Sequence, residues 1–146
     1  MKLETKYHGV IEVDQKKMIH FTNGLPGFLD ETDFIILDLP DNTVFQILQS
    51  AKTSNLAFII TSPYLFYEEY SLKLTDDLLE ALSIKSEQEV VVYTIVTLID
   101  PFAESTINLR APIVINSEVM KGKQYILNDV DYSSKAPITP EQREAK

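Results

Sequence analysis

The sequence predicts a single, mainly β domain: a small antiparallel barrel-like fold or a sandwich, with one short α-helix. Three observations predict it. The 146 residues include 15 Ile, 10 Val and 11 Thr, and β-branched side chains, stiff at χ1, pack well on a pleated surface. Short apolar runs alternate with turn residues roughly every eight to twelve positions, the spacing of sandwiches and barrels. The long helices that parallel strands need as crossovers are missing from the pattern. At 45% apolar residues the chain can bury a core, and its length suits one domain. That domain is expected over residues 1–132. Residues 133–146 hold two Pro, one large apolar residue (Ile138) and many polar ones, so they are expected to form a mobile tail.

The elements follow in order. Leu3, Thr5, Tyr7, Gly9, Ile11 and Val13 share one face of a period-two pattern, the mark of a half-buried strand bent or bulged at Gly9. Asp14–Lys17 reads as a turn and Ile19/Phe21 as a second strand, which suggests that the two strands pair as a hairpin. Asn23-Gly24-Leu25-Pro26-Gly27-Phe28 is the densest breaker cluster and implies a fixed loop with at least one positive φ. Further strands are expected at Phe34–Leu39, Val44–Leu48, Leu56–Thr61, Glu89–Ile99, Thr106–Leu109, Ile113–Ile115 and Gln124–Leu127. Between them Pro40-Asp41-Asn42, Lys52–Asn55, Asp100-Pro101, Ala111-Pro112 and Lys121-Gly122-Lys123 read as turns. A short turn is expected from Pro63, carrying Tyr64-Leu65-Phe66. One helix is expected from about Thr75 to Ser83: Thr75 caps it, Asp76 and Asp77 suit its positive end, and Leu78, Leu79 and Leu82 repeat at helical spacing.

Charge excludes several function classes. Thirteen Lys and Arg against 22 Asp and Glu give a net charge of −9. Nucleic-acid affinity rests on cations that neutralise phosphates, so direct DNA or RNA binding is not expected, and anionic membranes are disfavoured by the same sign. A basic protein partner fits instead. Without Cys there is no disulfide scaffold, thiolate metal site or Cys nucleophile. Met1–Lys6 carries no apolar secretion signal. The longest stretch free of charge, Thr53–Tyr67, is shorter than a membrane-spanning helix. A cytoplasmic protein is expected.

The search for catalytic chemistry is negative. The sequence has no phosphate-binding glycine loop, dinucleotide fingerprint or nucleophile elbow. His8 and His20 could meet across a hairpin, but nothing marks the third ligand a metal would need. Paired acids occur at Glu68-Glu69, Asp76-Asp77 and Asp129/Asp131, but adjacent acids on a strand face opposite ways and Asp76-Asp77 is accounted for as helix-start chemistry, so a glycosidase-like pair is not expected. Gly24-Leu25-Pro26-Gly27 matches a GxxG spacing, yet acids rather than cations follow it, so a turn is the better reading. No enzyme, cofactor or metal is expected.

Charge and aromatics together are more informative. Between Lys17 and Lys52 no Lys or Arg intervenes, while Asp30, Glu31, Asp33, Asp38 and Asp41 do. Phe28 precedes Asp30, Glu31 and Asp33, and Tyr64, Phe66, Tyr67 and Tyr70 surround Glu68 and Glu69. In such patches an aromatic ring can anchor a protein partner while a charge steers it. These ten residues are the candidate partner-binding positions. No exposed apolar stripe calls for a second copy, so a monomer is expected.

The chain resembles the bacterial flagellar assembly factor FliW family. The resemblance is carried by Thr5-Lys6-Tyr7-His8-Gly9, by Ile19-His20-Phe21 leading into Asn23–Phe28, and by Ser62-Pro63-Tyr64-Leu65-Phe66. It continues through Asn108-Leu109-Arg110-Ala111-Pro112-Ile113-Val114-Ile115-Asn116 and Gly122-Lys123-Gln124 before Ile126-Leu127. These run in order from about Leu3 to Tyr132. The resemblance implies a β-barrel-like fold with little helix and a non-enzymatic regulator. Such a protein binds the RNA-binding repressor CsrA, relieves repression of flagellin mRNA translation, and binds flagellin in a partner switch. It favours a non-competitive route over phosphate mimicry. A carbohydrate-binding β-sandwich is the alternative, and the absence of Trp counts against it.

Overall fold

The computed structural model describes residues 1–128 and 131–138. Its first elements are β1 (Lys2–Glu4), β2 (Val10–Glu12) and β3 (Ile19–His20), followed by the long meander β4 (Asp33–Leu39), β5 (Asn42–Ser50) and β6 (Ala57–Thr61). After the single α-helix, α1 (Asp76–Ala81), come β7 (Val90–Thr97), β8 (Thr106–Ile107), β9 (Ile113–Asn116), β10 (Lys121–Gln124) and β11 (Ala136–Pro137).

Strand pairing closes a barrel. The order β7-β6-β5-β4-β3-β10-β9 returns to β7 through a direct β7–β9 pairing. Closure is possible because one edge of β7 is divided along its length. Val90–Tyr93 pair with β9, whereas Val96 and Thr97 pair with β8. β8 in turn carries β11 outside the ring. All of these pairings are antiparallel except the short parallel contact of β10 with β3, where Lys121 opposes His20.

The long strands read as continuous apolar runs because more than one core uses them. Phe34, Leu48, Ile60, Ile113 and Ile115 pack together with Ile19, Phe21 and Leu25, and Phe21 meets Phe34 edge-on at 5.4 Å. Successive strand residues face opposite ways, so Val96 joins a second core with Tyr70, Ile107, Leu109, Leu127 and Ile138. Val114 joins a third with Leu78 and Leu82 of α1. Each fully buried side chain of this kind contributes about 1.5–3 kcal/mol. α1 begins as its sequence implies, with Thr75 Oγ1 accepting the N–H of Leu78.

Five expectations change. Residues 3–13 are not one bent strand but a hairpin, β1 with β2, in which Leu3 opposes Ile11. Folding back at Gly9, whose φ is +66°, preserves the period-two face, so alternation alone could not separate the two arrangements. Ile19 and His20 consequently pair with β4 rather than with the first segment. Lys121-Gly122-Lys123 is strand rather than turn. The turn lies at Ser117–Met120, and a Cβ on Gly122 would sit 2.7 Å from the Phe21 ring; the glycine is there for packing. The strand expected at Gln124–Leu127 accordingly ends at Gln124. The mobile tail expected from Ser133 does not describe residues 136–138: Ala136 and Pro137 pair with β8, and Ile138 is buried in the second core. The remainder of that tail, residues 139–146, lies outside the described residues, as does Asp129.

Two buried amides fasten the periphery to the barrel. Gln49 Nε2 donates to the carbonyls of Ser50, Ser54 and Leu56, while its Oε1 accepts the N–H of Lys6. Asn116 Nδ2 donates to Leu82 O and Ser83 O at the end of α1. A buried amide satisfied in this way fixes position as well as adding stability.

Candidate functional site

The glycine loop is set by its backbone. Gly24 and Gly27 have φ of +64° and +84°, and Leu25 and Phe28 form an isolated bridge between them. Leu25 turns into the core, while Phe28 and Leu29 stay exposed. One edge of the Phe28 ring meets Phe58, with centroids 5.6 Å apart.

The acids after this loop have different fates. Asp30 is exposed. Glu31 accepts hydrogen bonds from the hydroxyls of Ser50 and Thr53. Those bonds, the one from Ser50 foremost and then that from Thr53, hold its carboxyl below the usual range against the opposing effect of burial. Glu31 therefore pins the 50–53 turn. Asp33 Oδ1 lies 3.0 Å from His20 Nδ1 across the β3–β4 pair.

The second patch is built the other way round. Pro63–Leu65 form a 3₁₀ turn after β6. Phe66 stacks on Phe45, with centroids 6.3 Å apart. Tyr67 donates its hydroxyl to Pro137 O, and the buried Tyr70 donates to Leu109 O at 2.7 Å. Burial pushes the Tyr70 phenol well above its usual range, and the Tyr64 phenol upward as well. Tyr64 and Tyr132 flank the Tyr70 ring at 5.8 and 4.7 Å. Glu68 and Glu69 are exposed, and among the described residues neither takes part in an ion pair.

An open cleft of about 650 Å³ runs along this segment, lined by Leu65, Phe66, Tyr67, Tyr70 and Tyr132 with Glu68 and Glu69. A second cleft, which shares Tyr70 with the first, includes Tyr64 and Lys73. Reasoning from sequence missed Tyr132 and the loop after β7. In that loop Leu98, Ile99 and Phe102 are exposed, and the Phe102 ring packs edge-on against Phe45 at 5.9 Å. Leu98-Ile99-Asp100-Pro101-Phe102 has the same pattern of apolar groups beside an acid, and that signal could have found it.

The two histidines do not meet as a metal pair. His8 Nε2 donates to Asp38 O, and His20 is turned to Asp33. Among the described residues no group of three or more His, Cys, Asp or Glu is placed to hold a metal. No described helix is long and apolar enough to cross a membrane. What the surface offers chemically is aromatic and aliphatic area beside carboxylates that have no counter-charge among the described residues, the equipment of protein recognition.

Comparison with known proteins agrees with the resemblance noted above. A family model described as FliW protein matches residues 2–138. The flagellar assembly factor FliW of Oceanobacillus iheyensis is 49% identical over 138 residues, 94% of each chain. That of Geobacillus kaustophilus is 46% identical over 142 residues, 97% of this chain and 98% of its own. That of Bacillus subtilis is 44% identical over 138 residues, covering 94% and 96%. A crystal structure of the flagellar assembly factor FliW superposes with a TM-score of 0.89 at 44% identity, covering 97% of this chain and 99% of that one. On the barrel, the motifs and these likenesses together, the chain belongs to the FliW family of flagellar assembly factors.

Proposed function

We propose that this chain serves flagellar assembly by binding proteins in the cytoplasm, without making or breaking covalent bonds. It antagonises the RNA-binding translational repressor CsrA, so that flagellin mRNA is translated, and it binds flagellin in a partner switch. Flagellin that accumulates occupies the antagonist; flagellin that is exported releases it, and synthesis resumes. The partners come from the family resemblance. The observation that carries the reading on this molecule is the pair of exposed carboxylates, Glu68 and Glu69, beside an aromatic cleft and without an ion-pair partner among the described residues, on a chain of charge −9.

Charge supports the repressor as partner. A protein that holds RNA must present cations, and an acidic partner is drawn to it with a rate that salt suppresses. Binding beside the RNA site also lowers RNA affinity, because the incoming phosphates meet the added negative field. The Gly24–Asp33 loop and the Tyr64–Tyr70 segment are the proposed contact faces, with Phe28, Asp30, Glu68 and Glu69 as their accessible groups.

Calorimetric titration of the full chain into purified CsrA, at low and moderate salt and with or without flagellin, tests this reading. Binding that weakens with salt and is displaced by flagellin is expected. No binding to either protein would overturn it.

A further inference from the structure

We propose that the cleft along Leu65–Tyr70 is a receptor for an arginine side chain of a partner segment, with apolar neighbours of that arginine resting on Leu65 and Phe102. This deepens the partner-binding reading above and rests on it for the identity of the partner, but not for the chemistry of the site. Three features of the cleft select such an occupant.

The walls are aromatic. Phe66 and Tyr67 line one part, and Tyr132 lies against Tyr70 with centroids 4.7 Å apart. A guanidinium is planar and weakly hydrated and stacks on ring faces, where an ammonium keeps its water more tightly. The rim is anionic: Glu68 and Glu69 line the same cleft, are exposed, and have no ion-pair partner among the described residues. Two adjacent carboxylates beside a desolvating aromatic wall match the fork of donors that arginine presents.

The wall is also preorganised. Tyr67 and Tyr70 are tied by their hydroxyls to the carbonyls of Pro137 and Leu109, and Phe66 is stacked on Phe45. The rings therefore lose little freedom when a ligand arrives. Beyond the cleft, Phe45 joins Phe66 to Phe102, which is 53% exposed, and Leu65 at the cleft edge is 58% exposed. Large apolar groups left open beside a charged cleft mark a protein-binding surface.

The test uses the isotopically labelled full chain and two tripeptide probes, N-acetyl-Leu-Arg-Leu-amide and its citrulline counterpart, which keeps the shape but removes the charge. The arginine probe is expected to move amide resonances of Leu65–Tyr70 and Tyr132, and to bind at least five-fold more tightly than the citrulline probe. The double variant Glu68→Gln/Glu69→Gln, altered only at exposed positions, is expected to abolish that preference while its amide spectrum elsewhere stays unchanged. Equal binding of the two probes, or shifts confined to other surfaces, would sink the assignment. If the arginine probe enters the cleft while the chain binds neither CsrA nor flagellin, the partner reading fails and the cleft stands. If both proteins bind but the probe and the double variant show no effect at the cleft, the reverse holds.

Discussion

The Gly24–Asp33 loop and the Tyr64–Tyr70 segment carry the same signature, aromatic residues next to acids, and fold it in opposite senses. In the loop the apolar groups face out, with Leu29 69% exposed, while Glu31 is bound to Ser50 and Thr53 and Asp33 faces His20. In the segment Phe66, Tyr67 and Tyr70 are fastened to the barrel, while Glu68 and Glu69 are exposed and take part in no ion pair among the described residues. The cause is local geometry. Two positive-φ glycines turn the loop tightly, so that past Leu25 the Phe28 ring reaches only Phe58 and Leu29 is left exposed. The 3₁₀ turn at Pro63–Leu65 instead lays the following residues along the barrel's outer face, where Phe45 and Leu109 wait for them. A motif of residue types thus says that a surface is amphipathic, not which half of it a partner meets.

Substitutions can break or sharpen this contrast. The largest effect is expected from Tyr70→Ala, which empties an anchored aromatic site and should cost about 3–5 kcal/mol in chemical denaturation. Phe28→Ala in the exposed loop should cost well under half of that, and equal losses would erase the distinction. Gly24→Ala comes next. Its Cβ would meet the carbonyl oxygens of Phe28 and Leu29 at 2.6 Å, at a φ of +64°; backbone strain and overlap together should cost about 3 kcal/mol. Tyr70→Phe removes only the donor to Leu109 O, and leaving that acceptor buried should cost about 1–3 kcal/mol.

The acids give the smaller effects. Glu31→Gln should destabilise by about 1 kcal/mol after allowance for exposure, and only where the carboxyl is ionised. A carboxyl whose folded pKa lies below its unfolded value stabilises above the unfolded pKa and loses that contribution as pH falls through the folded one. Stability curves of Glu31→Gln and the parent should therefore converge as pH drops below the ordinary value of 4.5; a constant gap down to strong acid would mean the ionised form is not what matters. Glu68→Lys with Glu69→Lys should leave the melting transition within about 0.5 kcal/mol of the parent. The same change should weaken binding to the proposed basic partner and flatten its salt dependence.

Much of the architecture was legible. Thr75, Asp76 and Asp77 marked the start of α1, Gly24 and Gly27 marked a left-handed loop, and the runs over β4 to β7 marked strands. The most specific family stretch proves to be scaffold: Asn108 Oδ1 accepts the N–H groups of Arg110 and Ala111, and Asn116 ties α1 to the barrel. The site was legible only in part, because Tyr70 reads the same whether its ring covers a partner or a core.

Composition, periodicity and turn chemistry are local quantities, and they determined that this chain is an acidic, cysteine-free β domain with one capped helix. Pairing is a global one. Only the folded molecule decided that residues 3–13 turn back on themselves, that Gly122 lies beneath Phe21, that β7 shares its edge between β8 and β9, and that Glu68 and Glu69 are exposed while Glu31 is bound to Ser50 and Thr53. The physical reason is that alternation fixes which face a side chain takes but leaves open which strand, and which neighbour, that face will find.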